Sequence, residues 1–596
     1  MKKMLQTIFK DISNKFRKIF TPLFPSGKYF KLIFVLALGV IGYYLGPRDL
    51  ATGKYRAEIK VDLPDCTTSV FYLFKLGDET GKIVTQTQTA GNYKLILQGN
   101  DSYILRLGQV ISYQLKVMND ADQVINLSLD RVSSTIIGED YSQVLPPTGS
   151  SGQWLEFNLR VPYKSSIATG LLFTVAMLWL TELVPLSAAS LLIPVVVVVT
   201  SVTDPATILH PFFHPIVVLF FAGFLLAEGM HRTGVDRIIA LNILKHASLE
   251  PAFLMVTMMG LTAFLSLWMS NTASVAIIIP IAIAVLEKFP GDLVRTGFRR
   301  ALLLGIAYAA TIGGIGSAIG TPANILAMTF LNDFANADLG FLDWFYFGLP
   351  VVVIMIPIIW LYLIVVFRVQ FHSVSSHLSH VPYIRELEAL GNLKKDQRIL
   401  LFVFIAIMGL WLTDRWHHIH TAIIALGGVI ILFFTETIKK DDLNQINWDA
   451  LLTFGGGLAL GNLLVLTGVS DWIALQLTGL VNLPPLIVIF LVAGLTLFIG
   501  AFISNTACAA ALIPLVIPLA QILHMDPRLL VAVVAIASSI DFALVVGTPP
   551  TMIAYSTGFF EAREIFNRGI VLDLIGIVIL SFGVIWIWSW LGIITF

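Results

Sequence analysis

The tripeptide Ser-Asn-Thr occurs twice in strongly apolar surroundings, 234 residues apart. The copies are Ser270, Asn271 and Thr272 in SLWMSNTASVAIIIP, and Ser504, Asn505 and Thr506 in GAFISNTACAAALIP. Small polar side chains in such surroundings must find partners, because an unpaired polar group in hydrocarbon costs several kcal/mol. Their hydroxyl and amide groups can donate hydrogen bonds to an anion and offer oxygen to a cation. The repeat therefore predicts a binding site.

The composition predicts a polytopic membrane protein. Hydrophobic residues make up 56% of the chain and charged residues 13%, and the mean hydropathy is +0.83, far above that of a soluble domain. Two apolar hairpins, near 251–287 and 485–520, carry the tripeptides. Eleven further stretches approach the roughly 20 residues that cross a bilayer: 29–46, 166–181, 186–202, 215–231, 302–318, 349–367, 399–413, 419–435, 449–466, 528–546 and 571–593.

The distribution of basic residues predicts the orientation. The leader 1–28 is rich in lysine and arginine, so the positive-inside rule places the N-terminus in the cytoplasm. We expect 29–49 to be a retained first span, because no clear cleavage site follows it. Eleven spans then put the C-terminus outside, in a plasma or inner membrane.

Residues 50–162 differ in composition from the rest of the chain. Short alternating runs such as YRAEIKVDL and YQLKVM are separated by Gly, Asn and Asp, which predicts a small all-β sandwich. The orientation places this domain outside the membrane. No side-chain cluster in it distinguishes ligand binding from a role in packing or assembly, and the latter is favoured.

The duplication extends beyond the tripeptides. Residues 220–240 align with 454–474, and GTPANILA from Gly320 matches GTPPTMIA from Gly547. The chain thus contains two copies of five spans plus a hairpin, 163–368 and 399–596, joined by a cytoplasmic linker at 369–398. Because five is odd, the second copy is inverted relative to the first, which is a transporter architecture.

Each copy has two predicted helix breaks, one at Ser-Asn-Thr and one at Gly-Thr-Pro. The helix N-termini at such breaks offer N–H donors to an anion, and unwound carbonyl groups offer oxygen to a small cation. Hydrogen bonding between helices is the alternative use of such residues. Two matching copies, each followed by a second break, favour the binding site.

The two tripeptide segments, the two Gly-Thr-Pro turns and WLTELVPLSAASLLIPV resemble the divalent anion/sodium symporter (DASS) family of dicarboxylate transporters. The resemblance covers most of 29–49 and 163–596. It implies an 11-span homodimeric carrier that moves di- or tricarboxylates, or sulfate, by an elevator motion, usually with sodium. The β insertion is not part of the common pattern.

The resemblance also implies site residues. Substrate contacts fall on Asn271, Thr272, Thr321, Asn505, Thr506, Thr548 and Pro549. The first sodium site falls on Ser266, Ser270, Asn271 and Gly320, and the second on Gly500, Ile503, Asn505 and Gly547.

The sequence departs from the family pattern at two positions. Gly500 stands where the family usually has a threonine hydroxyl, which weakens the expectation of a second sodium site. Asp541 stands where the family generally has a small or apolar residue, and an acid inside a span is expensive. It is a possible coupling acid that binds a cation or carries a proton; the alternatives are pairing at a helix interface and access to a water-filled crevice.

These patterns predict a secondary transporter and not an enzyme. The sequence has no Walker-type loop and no set of nucleophile, base and orienting residue. We expect symport of a small dianion such as succinate, malate or fumarate with sodium, no other metal or cofactor, a lipid bilayer and a second copy of the chain as partners, and no nucleic acid. The alternatives are a dicarboxylate exchanger, a proton-coupled carrier of citrate or sulfate and, less favoured, a ligand sensor that uses the β domain.

Overall fold

A computed structural model describes most of the chain. The described residues are 27–47, 53–64, 66–77, 81–104, 109–125, 131–137, 142–145, 147, 149–151, 153–160, 163–246, 250–287, 297–369, 393–477, 479–480, 483–545 and 547–594. They form two units, which are Met1–Ile208 with Asn462–Trp472, and Leu209–Gly461 with Ile473–Phe596.

The first unit contains a β domain. Its strands are β1 (Gly53–Asp62), β2 (Thr67–Gly77), β3 (Ile83–Ala90), β4 (Tyr93–Asn100), β5 (Ser102–Ile104), β6 (Val110–Asn119), β7 (Val132–Ile137), β8 (Ser142–Leu145), β9 (Gly149–Ser151) and β10 (Trp154–Arg160). One sheet has the order β5-β2-β1-β7-β8 and the other has the order β3-β4-β6-β10-β9. The expected N-terminal β domain is confirmed.

Alternation along the strands builds the core of this domain. In β1, Tyr55, Ala57, Ile59 and Val61 are buried, and the residues between them are more exposed. These side chains belong to one apolar cluster with residues of the second sheet, such as Phe157. A period of two places one face of each strand in the core, which is why the sequence pattern predicted strands here.

Two helices of the first unit pack closely at glycines. Helix α1 (Gly27–Leu45) contacts α2 (Ser165–Thr181). A Cβ atom at Gly39 would lie under 3.0 Å from Thr174 Oγ1, so this contact requires glycine. In the same unit, Arg160 at the end of β10 forms an ion pair with Asp471, with Nε 3.9 Å from Oδ2.

The remaining described segments are mostly helical. The helices are α3 (Leu186–Val199), α4 (Pro205–Leu209), α5 (Pro215–Thr233), α6 (Val235–Leu244), α7 (Pro251–Ser266), α8 (Asn271–Leu286), α9 (Arg299–Ile315), α10 (Pro322–Ala335), α11 (Asp343–Phe367), α12 (Lys395–Leu412), α13 (Asp414–His417), α14 (Thr421–Phe434), α15 (Trp448–Leu466), α16 (Val469–Gln476), α17 (Pro485–Gly500), α18 (Asn505–Ile522), α19 (Pro527–Ala537), α20 (Pro549–Ser556), α21 (Ala562–Val578) and α22 (Ile585–Trp590).

Five helical segments of the described chain are long and apolar enough to cross a membrane: Pro205–Thr233, Asp343–Phe367, Trp448–Leu466, Asn505–Ile522 and Ala562–Trp590. Several shorter helices are also apolar. The mostly helical architecture is confirmed, whereas the count of eleven spans and the inverted arrangement of the repeats stay predictions.

Candidate functional site

Both Ser-Asn-Thr tripeptides lie at helix breaks of the same form. Helix α7 ends at Ser266 and α8 begins at Asn271, and α17 ends at Gly500 and α18 begins at Asn505. In each break the serine side chain caps the second helix, because Ser270 Oγ and Ser504 Oγ accept hydrogen bonds from the Ala273 and Ala507 amides at 3.2 Å. Serine is a favoured N-cap residue.

The Gly-Thr-Pro sequences also begin helices. Thr321 caps α10, its hydroxyl accepting from the Ala323 amide at 3.3 Å, and Thr548 caps α20, its hydroxyl lying 2.9 Å from that of Thr551. Proline follows each cap at the first helical position, where its missing N–H has no cost. The two breaks differ in length, since α9 ends at Ile315 and α10 begins at Pro322, whereas α19 ends at Ala537 and α20 begins at Pro549.

The four helices that start at these breaks pack in crossed pairs. Helix α8, which follows the first tripeptide, contacts α20, which follows the second Gly-Thr-Pro. Helix α10 contacts α18 in the same way. Each tripeptide helix is thus a neighbour of the Gly-Thr-Pro helix from the other copy.

Oxygen atoms gather around Ser266 in the first copy. Its hydroxyl is fully buried and lies 2.6 Å from Asn271 Oδ1 and 2.7 Å from the Ala310 carbonyl oxygen. A hydroxyl has one proton, so it can donate to one of these two acceptors at a time.

Two glycines make room for this cluster. A Cβ atom at Gly314 would lie under 3.0 Å from Asn271 Oδ1 and 3.1 Å from the Gly320 carbonyl oxygen. A Cβ at Gly320 would lie 2.9 Å from the Ser266 carbonyl oxygen. Side-chain and backbone oxygens of Ser266, Asn271 and Gly320, three of the four residues expected at the first sodium site, therefore meet at one place.

Asn324 holds the loop beside this cluster, a role that sequence reasoning missed. Its Nδ2 lies 3.0, 3.2 and 2.6 Å from the carbonyl oxygens of Gly314, Ile315 and Ser317. Its two N–H protons are shared among these acceptors, which keeps the non-helical carbonyl groups paired. Its position three residues after Thr321 in GTPANILA was the available signal.

The second copy offers fewer side-chain oxygens at the positions expected to bind sodium. Gly500 supplies no hydroxyl, and a Cβ atom there would meet nothing closer than the Ser538 carbonyl oxygen at 3.5 Å. Ile503 is buried and apolar. Within the described part of the chain, the buried Asn505 Oδ1 has no hydrogen-bond partner.

Asp541 lies beside the second Gly-Thr-Pro. Its side chain is 2% exposed, and a Cβ atom at Gly547 would collide with its carboxylate. Neither carboxylate oxygen has a hydrogen-bond partner among the described residues. The Leu544 amide is near but does not make a hydrogen bond of normal geometry.

Two groups from distant segments hold the chain next to Asp541. The buried Asp573 carboxylate accepts hydrogen bonds from the Phe542 amide at 2.8 Å and from the Ala543 amide at 3.1 Å. The Tyr308 hydroxyl donates to the Phe542 carbonyl oxygen at 3.0 Å. Sequence reasoning missed both residues, although an acid within the apolar stretch of α21 was a signal for Asp573.

Backbone donors are available at both tripeptide helices. Within the described residues, no hydrogen bond involves the amides of Asn271 and Thr272, or those of Asn505 and Thr506. Thr272 is exposed, and Asn271, Asn505 and Thr506 are half-buried. Free amides at a helix start can bind an anion.

A cavity of about 670 Å³ lies in the second unit. Asn332, Asp338, Asp343, His418 and His420 are among its lining residues. None of the predicted substrate contacts lines it, but Ala318, which precedes the first Gly-Thr-Pro, does.

Paired helix breaks in apolar helices, with buried oxygens and free amides gathered at them, define a membrane transporter. A family model described as the sodium:sulfate symporter transmembrane region matches residues 160–594. The chain therefore belongs to the sodium:sulfate symporter family, which confirms the resemblance seen in the motifs. The β domain lies almost entirely before the matched region.

Curated relatives agree with this assignment. The sodium-dependent dicarboxylate transporter SdcS of Staphylococcus saprophyticus is 30% identical over 432 residues, which are 68% of this chain and 83% of the relative. An uncharacterized transporter of Haemophilus influenzae is 31% identical and covers 70% of this chain and 91% of its own length. SdcS of Staphylococcus aureus is 29% identical, and the match covers 70% of this chain and 85% of the relative.

One solved structure resembles the chain loosely. The YdaH transporter of Alcanivorax borkumensis covers 65% of this chain and 87% of its own, with a TM-score of 0.44 and 14% sequence identity. This likeness is too distant to assign a fold.

Proposed function

We propose that this protein is a sodium-coupled symporter of a small dianion such as succinate, malate or fumarate. The observation that carries the proposal is the oxygen cluster formed by Ser266, Asn271, Gly314 and Gly320. Relatives named as sodium-dependent dicarboxylate transporters support the choice of ion and substrate class.

The first copy suits sodium because it offers neutral oxygens without a fixed charge. Carbonyl groups of an unwound segment and side-chain oxygens are the ligands that transporters use for this ion. The Ser270 hydroxyl caps α8, so Ser270 acts here by fixing the helix start. Cation binding at Asn271 Oδ1 would then orient the amide of the same side chain toward the substrate.

The substrate in this proposal is held by helix starts and neutral side chains. Asn271 and Thr272 begin one helix and Asn505 and Thr506 begin the other, and their free amides face no other acceptor among the described residues. Thr321, Thr548 and Pro549 belong to the starts of the crossed helices. Because this set contains no lysine or arginine, bound cations supply the positive charge that a dianion needs.

Three features implied by the family complete the proposal. The carrier works by an elevator motion, as a homodimer, with eleven spans in two inverted repeats. Its N-terminus is cytoplasmic, and residues 50–162 and the C-terminus are external. The β-sandwich then serves as an external packing or assembly module.

The test is counterflow and uptake of radiolabelled succinate in proteoliposomes, with sodium or choline as the cation and at two pH values. We expect uptake only with sodium, at both pH values. Uptake that ignores sodium but is lost in Asp541→Asn would contradict the proposal and favour proton coupling.

Variants test the residues themselves. Asn271→Ala and Asn505→Ala should each abolish uptake and leave the yield and elution volume of the purified protein unchanged. Asn242→Ala is the matched control, since its side chain bonds only within an exposed helical turn, to the Ile238 carbonyl oxygen. Wild-type uptake in either site variant would refute the assignment.

A further inference from the structure

The two copies of the site differ at corresponding positions. The tripeptide offset of 234 residues pairs Ser266 with Gly500 and Asn271 with Asn505, and both are the matching helix ends in the structure. Gly314 and Asp541 correspond in sequence, because each stands six residues before the glycine of Gly-Thr-Pro, although Gly314 lies within α9 and Asp541 lies beyond the end of α19. Compared with the first copy, the second copy therefore lacks a hydroxyl and has an additional carboxylate.

Gly314 of the first copy lies beside the oxygen cluster. A Cβ atom on Gly314 would be directed at Asn271 Oδ1 and would lie 3.1 Å from the Gly320 carbonyl oxygen. In the second copy, the Asp541 carboxylate lies against Gly547, the counterpart of Gly320. The carboxylate thus lies at one of the residues expected at the second sodium site.

The carboxylate has no partner that would explain its burial. Among the described residues, neither Asp541 nor the nearby Asp573 forms an ion pair with lysine or arginine. Both Asp541 oxygens lack hydrogen bonds, as do the buried Asn505 Oδ1 and Ser539 Oγ. A buried, unpaired carboxylate is costly, and pairing, a bound metal ion or protonation is the usual compensation.

We propose that the Asp541 carboxylate is an anionic ligand of the cation in the second copy, where it takes the place of the hydroxyl missing at Gly500. This inference rests on the proposed sodium-coupled function and adds a ligand to it. The first copy then holds sodium with neutral oxygens, and the second holds it with a charged group. Sodium at Asp541 also removes a negative charge that would otherwise repel an incoming dianion.

The experiment measures the thermal stability of the purified full-length protein in detergent at rising sodium, with choline holding ionic strength constant and without substrate. A ligand that binds the folded state raises the melting temperature, so the sodium midpoint reports affinity. We expect Asp541→Asn to raise this midpoint about tenfold or more, because a ligand bond to a charged group is lost. Asp441→Asn, on an exposed carboxylate, should leave it unchanged.

A second variant keeps the test decisive if Asp541→Asn does not fold. The space at Gly500 admits a Cβ atom, so Gly500→Ser can restore the hydroxyl in an otherwise wild-type chain. We expect Gly500→Ser to lower the sodium midpoint, and to recover part of the loss when combined with Asp541→Asn.

The outcomes separate this inference from the proposed function. A wild-type sodium response that is weakened by Ser266→Ala but unchanged by both Asp541→Asn and Gly500→Ser would overturn the inference alone. A wild-type protein that sodium does not stabilise would overturn the proposed function and the inference with it.

Discussion

The two copies of the site use the same helix breaks but stabilise them with different chemistry. In the first copy, a serine hydroxyl, an asparagine and closely spaced glycines bring neutral oxygens together. In the second copy the hydroxyl is absent, and a buried carboxylate lies against Gly547. The two halves therefore share their capped helix starts and differ in the oxygen atoms that lie beside them.

The loops beside the two halves are also held differently. Asn324 donates to the carbonyl oxygens of the first loop from three residues beyond its cap. The hydroxyl of the corresponding Thr551 forms hydrogen bonds only with the Thr548 cap among the described residues. The second loop relies instead on Asp573 and Tyr308 from other helices, so its position depends on packing between distant segments.

The largest predicted difference between the halves is the change in uptake when alanine replaces Gly314 or Gly500. Gly314→Ala would force Asn271 Oδ1 out of place, because the added Cβ atom has no room. Displacing a ligating group by about 1 Å can cost about a hundredfold in rate, so sodium-driven succinate uptake should fall by that order.

Gly500→Ala is the matched control for this prediction. Its Cβ atom would meet the Ser538 carbonyl oxygen at 3.5 Å, an ordinary contact. Uptake should stay within about twofold of wild type. Equal losses in the two alanine variants would show that the halves are not packed differently.

A second prediction concerns the residues that follow the caps. Asn324→Ala leaves buried carbonyl groups unpaired, at about 1–3 kcal/mol for each, so the sodium concentration for half-maximal uptake should rise about tenfold. Thr551→Ala loses one hydroxyl contact and should raise the sodium concentration for half-maximal uptake by a smaller factor. A larger effect of Thr551→Ala would contradict the assigned role of Asn324.

A third prediction concerns the tyrosine that holds the second loop. Tyr308→Phe removes one hydrogen bond to the Phe542 carbonyl oxygen, worth about 1 kcal/mol, and should raise the sodium midpoint about fivefold. Tyr362→Phe removes a bond of the same length to the Arg568 carbonyl oxygen and serves as control. Indistinguishable sodium midpoints in the two variants would show that Tyr308 does not position the second loop for sodium binding.

The smallest predicted effect is the loss of stability when a serine cap is removed, and it should be equal in the two copies. Ser270→Ala and Ser504→Ala each remove a cap with the same 3.2 Å geometry. Each should cost about 1 kcal/mol of stability, measured by thermal unfolding in detergent. A clear inequality between them would show that one serine has a role beyond capping.

The sequence predicted those features that depend on short-range patterns. Alternation in β1 predicted the strands, and the Ser-Asn-Thr and Gly-Thr-Pro sequences predicted helix breaks because glycine and proline interrupt the backbone hydrogen-bond ladder. The family resemblance is confirmed by the match over 160–594. The assigned roles of Asn271 and Asn505 stay predictions.

The contacts that hold the second loop could not be predicted in this way. Tyr308 and Phe542 are 234 residues apart, and Asp573 reaches back 31 residues to the Phe542 amide. Such contacts arise from how helices pack, which a single sequence does not encode in a local pattern. The polar character of Asp541 and Asp573 in apolar segments was visible, but their partners were not.

The most direct test of whether both halves bind a cation is the sodium dependence of succinate uptake in proteoliposomes. We expect a Hill coefficient above 1 for the wild type, and a coefficient near 1 for both Ser266→Ala and Asp541→Asn, because each variant weakens a different cation position. A wild-type coefficient of 1, or a coefficient that Asp541→Asn leaves unchanged, would contradict the claim that both halves bind a cation.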